Sequence, residues 1–112
     1  MNYREEKPWG VFENILDDQL CKVKKITIKV GKRPSYQYHH QRSEHWVIIQ
    51  GEALVTLDGL TKKLFANNYI YIPLGAKHRI ENCGSVDLIF IEVQTGDYFG
   101  EDDIVRINDD YS

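Results

Sequence analysis

Apolar side chains fall in short runs along this chain, many at a spacing of two, the period of a strand with one buried face. In residues 23–30, Val23, Ile26, Ile28 and Val30 alternate with basic and hydroxyl residues. Residues 46–50 form a β-branched run ending at Gly51, and residues 53–57 follow it. Asp58-Gly59 then stands before residues 62–65, a dipeptide that favours a two-residue hairpin turn. Residues 69–72 make an aromatic and β-branched run stopped by Pro73, and residues 88–94 read as a last long strand before Gly96. Trp9, Trp46, Tyr69 and Tyr71 are expected to pack the interior. Helix is invited only in two places: residues 17–20 are too short for more than a turn, and residues 102–106 allow one helical turn at most. Many short strands broken by glycine and proline predict an all-β sandwich or barrel. No repeat or low-complexity linker interrupts the pattern, so one domain is expected over residues 1–112.

Composition narrows the function classes. A length of 112 residues suffices for a single core, and 42% hydrophobic with 28% charged residues is ordinary for a soluble globular chain. The net charge of -3 argues against non-specific nucleic-acid binding, which shows as a basic excess. Basic residues nevertheless gather from Lys22 to Arg33, and the segment from Glu101 to Asp110 is acidic. No window approaches the ~20 apolar residues of a membrane helix, and the first residues lack the apolar core of a secretory signal. Cys21 and Cys83 have neither the framework of a secreted mini-protein nor close spacing, which predicts free thiols and a cytoplasmic location; one distant disulfide is the alternative.

The densest chemistry lies in Gln37-Tyr38-His39-His40-Gln41-Arg42-Ser43-Glu44-His45. On a strand, Gln37 and His39 share a face. Glu44 follows a short connection and can face them from the next strand. His78, after Pro73 and Gly75, brings a second imidazole from far along the chain. Two imidazoles, a carboxylate and an amide oxygen suit a divalent first-row metal with open positions, better than calcium and unlike a closed thiolate zinc site. Histidines on strands are as often surface or hydrogen-bonded core residues, so this chemistry alone leaves both readings standing.

The spacing resembles the two signature motifs of the cupin superfamily. Gly31, Gln37, His39, Glu44 and Gly51 fall on the first motif, with glutamine in place of its first histidine. Pro73, Gly75, His78 and Asn82 fall on the second, with Asn67 in place of its leading glycine. Asparagine tolerates the left-handed backbone that a turn there requires. The resemblance implies a small cupin, a double-stranded β-helix or jelly-roll barrel, with Gln37, His39, Glu44 and His78 as metal ligands. More narrowly, the chain is similar to the type II mannose-6-phosphate isomerase domain that often follows a mannose-1-phosphate guanylyltransferase. The similar stretches are 7–10, 37–46, 72–82, 91–94 and 96–106, nearly the whole chain. Met1 stands only a few residues before Lys7-Pro8-Trp9-Gly10, so the expectation is an isomerase domain standing alone, without guanylyl transfer. Where the resembled family continues Gly-Arg after its last tyrosine, this sequence reads Asp110-Tyr111-Ser112, so part of the phosphate-binding arrangement that the resemblance implies has no match here.

That resemblance implies a zinc-dependent aldose–ketose isomerase acting on a sugar phosphate, with mannose 6-phosphate converted to fructose 6-phosphate. A bound metal would polarise the carbonyl, and a general base would move the proton. Asp102, Glu101 and His45 are the candidates for that base. Alternation turns His45 away from the metal, and Glu101, Asp102 and Asp103 would ordinarily form a solvated acidic turn. Arg106 and Arg42, then Arg79, are the candidates for holding phosphate, because guanidinium matches it bidentately. Lys22, Lys24 and Lys25 read as ordinary strand-face charges, Lys24 sharing a face with Ile26 and Ile28. A homodimer is expected, since exposed sheet edges favour burial. Two other readings stay open: a non-catalytic metal- or sugar-binding cupin with a regulatory role, and a cupin enzyme of another class.

Overall fold

The computed structural model describes residues 3–112, and every element among them is a strand. In chain order these are β1 (Arg4–Lys7), β2 (Gly10–Asp17), β3 (Cys21–Ile28), β4 (Tyr36–Tyr38), β5 (Arg42–Gln50) and β6 (Glu52–Leu57). β7 (Leu60–Phe65), β8 (Tyr69–Ile72), β9 (His78–Asn82), β10 (Leu88–Gly96) and β11 (Val105–Asn108) complete the set. They form two antiparallel sheets, one ordered β1-β2-β3-β10-β5-β8 and the other β11-β4-β9-β6-β7. No helix among the described residues is long and apolar enough to cross a membrane. Cys21 and Cys83 are both free thiols.

Several turns take the form their residues dictate. Asp58 and Gly59 both have positive φ, 47° and 83°, and they close the β6–β7 hairpin where Leu57 faces Leu60. Asn67 adopts φ 74°, the left-handed conformation expected of a residue standing in for glycine. At Gly96, φ is 145° and a Cβ would lie 2.3 Å from the carbonyl oxygen of Gln41, so only glycine lets these backbones approach.

Each central strand is apolar at one end of its inner face and polar at the other. On β3 the inward residues run Lys22, Lys24, Ile26, Ile28; on β5, Arg42, Glu44, Trp46, Ile48; on β10, Leu88, Phe90, Glu92, Gln94. The register aligns these gradients. Phe90 lies between Ile26 and Ile48, Glu92 between Lys24 and Trp46, and Gln94 between Lys22 and Glu44. The closed end is therefore a hydrocarbon core, joined from the other sheet by Ala53, Val55, Leu64 and Ile80. Each fully buried aliphatic side chain there contributes roughly 1.5–3 kcal/mol. The opposite end of the same strands carries ionisable groups without interrupting the core.

Three details depart from the sequence reading. Residues 102–106 make a turn followed by β11 rather than a helical turn. Tyr69 and Tyr71 stand outside the barrel, 52% and 44% exposed, because their register with Val47 and His45 puts them on the outer face. Lys22 and Lys24 are buried inside it. Alternation gave Lys24 its face correctly, and what the pattern hid was a polar compartment at that end of the face.

Candidate metal centre and its cavity

His39, Glu44 and His78 meet at the polar end, each buried, with one potential ligand atom apiece lying within 4.8 Å of the others. They come from the β4–β5 connection, β5 and β9. His39 Nε2 is 3.3 Å from Glu44 Oε2, and His78 Nε2 is 4.0 Å from Glu44 Oε1. The other ring nitrogens are engaged elsewhere. His39 Nδ1–H donates to the carbonyl oxygen of Asp103 (2.6 Å), and His78 Nδ1–H to that of Ala76 (3.0 Å). Each ring thereby turns an unprotonated Nε2 toward Glu44, the tautomer a metal ligand needs.

Burial and charge act on two members of the cluster. Burial holds the His39 imidazole below the usual histidine range, against the opposing pull of Glu44. For Glu44, burial pushes the carboxyl up, but His78, Arg42 and His39 outweigh it and hold the group well below the ordinary range. Its two oxygens accept from Trp46 Nε1 (2.9 Å) and Arg42 Nε (3.0 Å). Two imidazoles presenting Nε2 and an ionised carboxylate fit a divalent first-row ion. Such an ion would supply Lewis-acid chemistry at this point.

A cavity of about 610 Å³ opens over the cluster. Gln37 lines it, opposite His78 in the β4–β9 register, and its amide nitrogen donates weakly to the Ser35 carbonyl (3.4 Å). Arg42, Arg79 and Arg106 line it too, in three different settings. Arg42 is buried against Glu44. Arg79 donates to the carbonyls of Pro34 (2.9 Å) and Asn108 (3.1 Å) and pairs with Asp110, so it ties the tail to β9. Arg106 is exposed on β11.

The three residues considered as a base are scattered. His45 lies on the outer face, its Nδ1 2.5 Å from the Tyr69 hydroxyl and its ring against Tyr71. Asp102 accepts a hydrogen bond from the Tyr98 hydroxyl (2.5 Å). Glu101 reaches the cavity but is paired with Lys24.

Two residues that sequence reasoning passed over are central here. Asp103, expected in a solvated turn, is buried; its carboxylate accepts from the backbone N–H groups of His40 (3.0 Å) and Gln41 (2.9 Å). Glu92 is buried beside Glu44 and Lys24, and burial followed by the Glu44 charge pushes its carboxyl up to about 8. Its signal was available: Glu92 and Gln94 continue the inward alternation of Leu88 and Phe90. Asp103 carried no such signal, because its contacts lie over sixty residues away.

Residues 2–109 match the family model described as mannose-6-phosphate isomerase C-terminal. The chain belongs to this family. Its fold is that of the cupins: a protein from Klebsiella pneumoniae described as having a double-stranded β-helix domain superposes with a TM-score of 0.76 at 21% identity, over 85% of this chain and 76% of that one. Mannose-1-phosphate guanylyltransferase 2 of Escherichia coli O157:H7 is 50% identical over 94% of this chain and 22% of its own length. Mannose-1-phosphate guanylyltransferase ManC of Salmonella typhimurium is 49% identical with the same coverage. This mannose-6-phosphate isomerase C-terminal domain thus spans about a fifth of the length of the curated relatives it matches, and those relatives are enzymes.

They are named as transferases, however, and this corrects the expectation of a stand-alone aldose–ketose isomerase. Relatives aligned with nearly the whole chain bear the name of guanylyl transfer, and the family's title describes a kind of domain rather than an activity of this chain.

Proposed function

We propose that this chain is the metal-holding, ligand-binding cupin domain of a mannose-1-phosphate guanylyltransferase-type protein. His39, Glu44 and His78, with Gln37 as a fourth donor, hold a divalent ion, zinc by the balance of nitrogen and oxygen ligands. The cavity above takes a mannose phosphate, its hydroxyls toward the ion and its phosphate toward the cationic side chains. The observation that carries this reading is the pair of imidazoles, each tied at Nδ1 to a carbonyl and each presenting Nε2 to one buried carboxylate. Arg42 adds a second argument, because its Nη1 is buried with no hydrogen-bond partner, a donor left for a ligand oxygen.

Calorimetric titration of the zinc-loaded chain with mannose 1-phosphate and GDP-mannose tests the ligand half of this reading. Saturable binding that is lost on chelation is expected. Heats indistinguishable from those of unphosphorylated mannose would overturn it.

A further inference from the structure

Two lysines inside a barrel need an explanation. Lys22 and Lys24 occupy inward positions of β3, with side chains only 9% and 6% exposed. Burying an ammonium group costs several kcal/mol unless it is paired and hydrogen-bonded. Each ammonium has three donors. Both are met by a single carboxylate oxygen, Glu101 Oε1, which bonds to Lys24 Nζ and lies 3.6 Å from Lys22 Nζ. The face of the Phe12 ring, 4.4 Å away, supports Lys24 further, and the Glu92 carboxyl lies opposite it in the β3–β10 register.

The oxygen comes from a different kind of place than the lysines. Glu101 sits on the turn between β10 and β11, and its side chain is 54% exposed. Burial pushes its carboxyl up, but Lys24, Arg42 and Lys22 more than offset this and hold it below the usual range. A solvent-facing carboxylate thus reaches in to neutralise Lys24, which the strand fixes in the cavity wall, and Lys22 beside it in a neighbouring pocket.

We infer that Lys24 forms an oxyanion subsite of the cavity, built for a phosphate group, and that Glu101, held also by Lys22 from a neighbouring pocket, is its displaceable internal counterion. This rests on the sugar-phosphate reading above and names its phosphate contact. A phosphate offers several acceptor oxygens where Glu101 offers one, and so better satisfies the Lys24 ammonium together with the unpartnered Nη1 of Arg42. Its entry would free the Glu101 turn from β3, while Asp103 keeps the base of that turn fastened to His40 and Gln41.

The test titrates inorganic phosphate into the intact chain, followed by ³¹P NMR, in wild type, Glu101→Gln, and Glu101→Gln combined with Lys24→Met. Removing a partly exposed counterion is expected to tighten phosphate binding by about two- to fivefold. Adding Lys24→Met is expected to weaken it again by about tenfold or more, as loss of a charge-assisted hydrogen bond does. Equal or weaker binding in Glu101→Gln, including no binding in either protein, would overturn the inference and leave Glu101 a structural latch. So would a double variant that binds as well as Glu101→Gln. If Lys24→Met does not fold, the comparison of wild type with Glu101→Gln decides alone. Zinc content measured on the same samples separates this outcome from failure of the metal reading, because neither Lys24 nor Glu101 is among the proposed ligands.

Discussion

The carbonyl oxygen of Asp103 accepts a hydrogen bond from His39 Nδ1 at 2.6 Å, which fastens the turn after β10 to the metal cluster. The same residue's carboxylate clamps the backbone of His40 and Gln41, so one buried aspartate sets both the imidazole and the loop that carries it.

Asp103→Ala should therefore loosen the site without removing a ligand. The variant keeps the backbone carbonyl that His39 Nδ1 bonds and loses only the carboxylate clamp on His40 and Gln41. Metal affinity should fall, but by less than the ~10–100-fold that loss of a direct orienting partner typically costs. Chelator competition with zinc would show that drop. An unchanged affinity would mean that the strands alone position His39.

Glu92 gives the metal-free chain a pH dependence of definite sign. Its carboxyl is raised from 4.5 to about 8 in the folded protein by burial and by Glu44, against the pull of Lys24. The stabilisation belongs to the protonated form, so it is complete below the unfolded value and is lost as pH rises through the folded one. Thermal melts of chelated protein should show stability falling toward pH 8, and Glu92→Gln should flatten that fall. Parallel profiles for the two proteins would contradict this.

Asn82 holds the closed end of the barrel together. Its amide nitrogen donates to the carbonyls of Ile28 and Val86, both at 2.9 Å, and its oxygen accepts from Gly84 N–H at 3.0 Å. Asn82→Ala would strand buried backbone groups at a cost of about 1–3 kcal/mol. Denaturant unfolding should register this loss while zinc affinity stays within a few-fold of wild type. A variant that loses zinc yet keeps its stability would show that Asn82 serves the site instead.

Much of the fold was legible where side chains obey a single rule. β8 spans the residues the pattern marked, and Asp58-Gly59 made the hairpin its chemistry demands. β1, with the sequence Arg-Glu-Glu-Lys, has no apolar face to read and exists because β2 pairs with it. A register shift between Asn14 and Leu16 breaks the alternation of β2, which hid that strand as well. At the site, His39, Glu44 and His78 were marked by spacing and residue type. Lys22, Lys24 and Glu92 were legible as to face but not as to purpose, since charge reads as solvent until the cavity is known. Asp103 depended on a long-range loop closure that no local pattern encodes.

Metal content of the purified chain tests the central claim most directly. Elemental analysis after zinc loading and desalting should find about one ion per chain in wild type, and almost none in His39→Ala or His78→Ala proteins that still fold. Retention of the ion in both variants, or a folded wild-type chain that never holds one, would contradict the account.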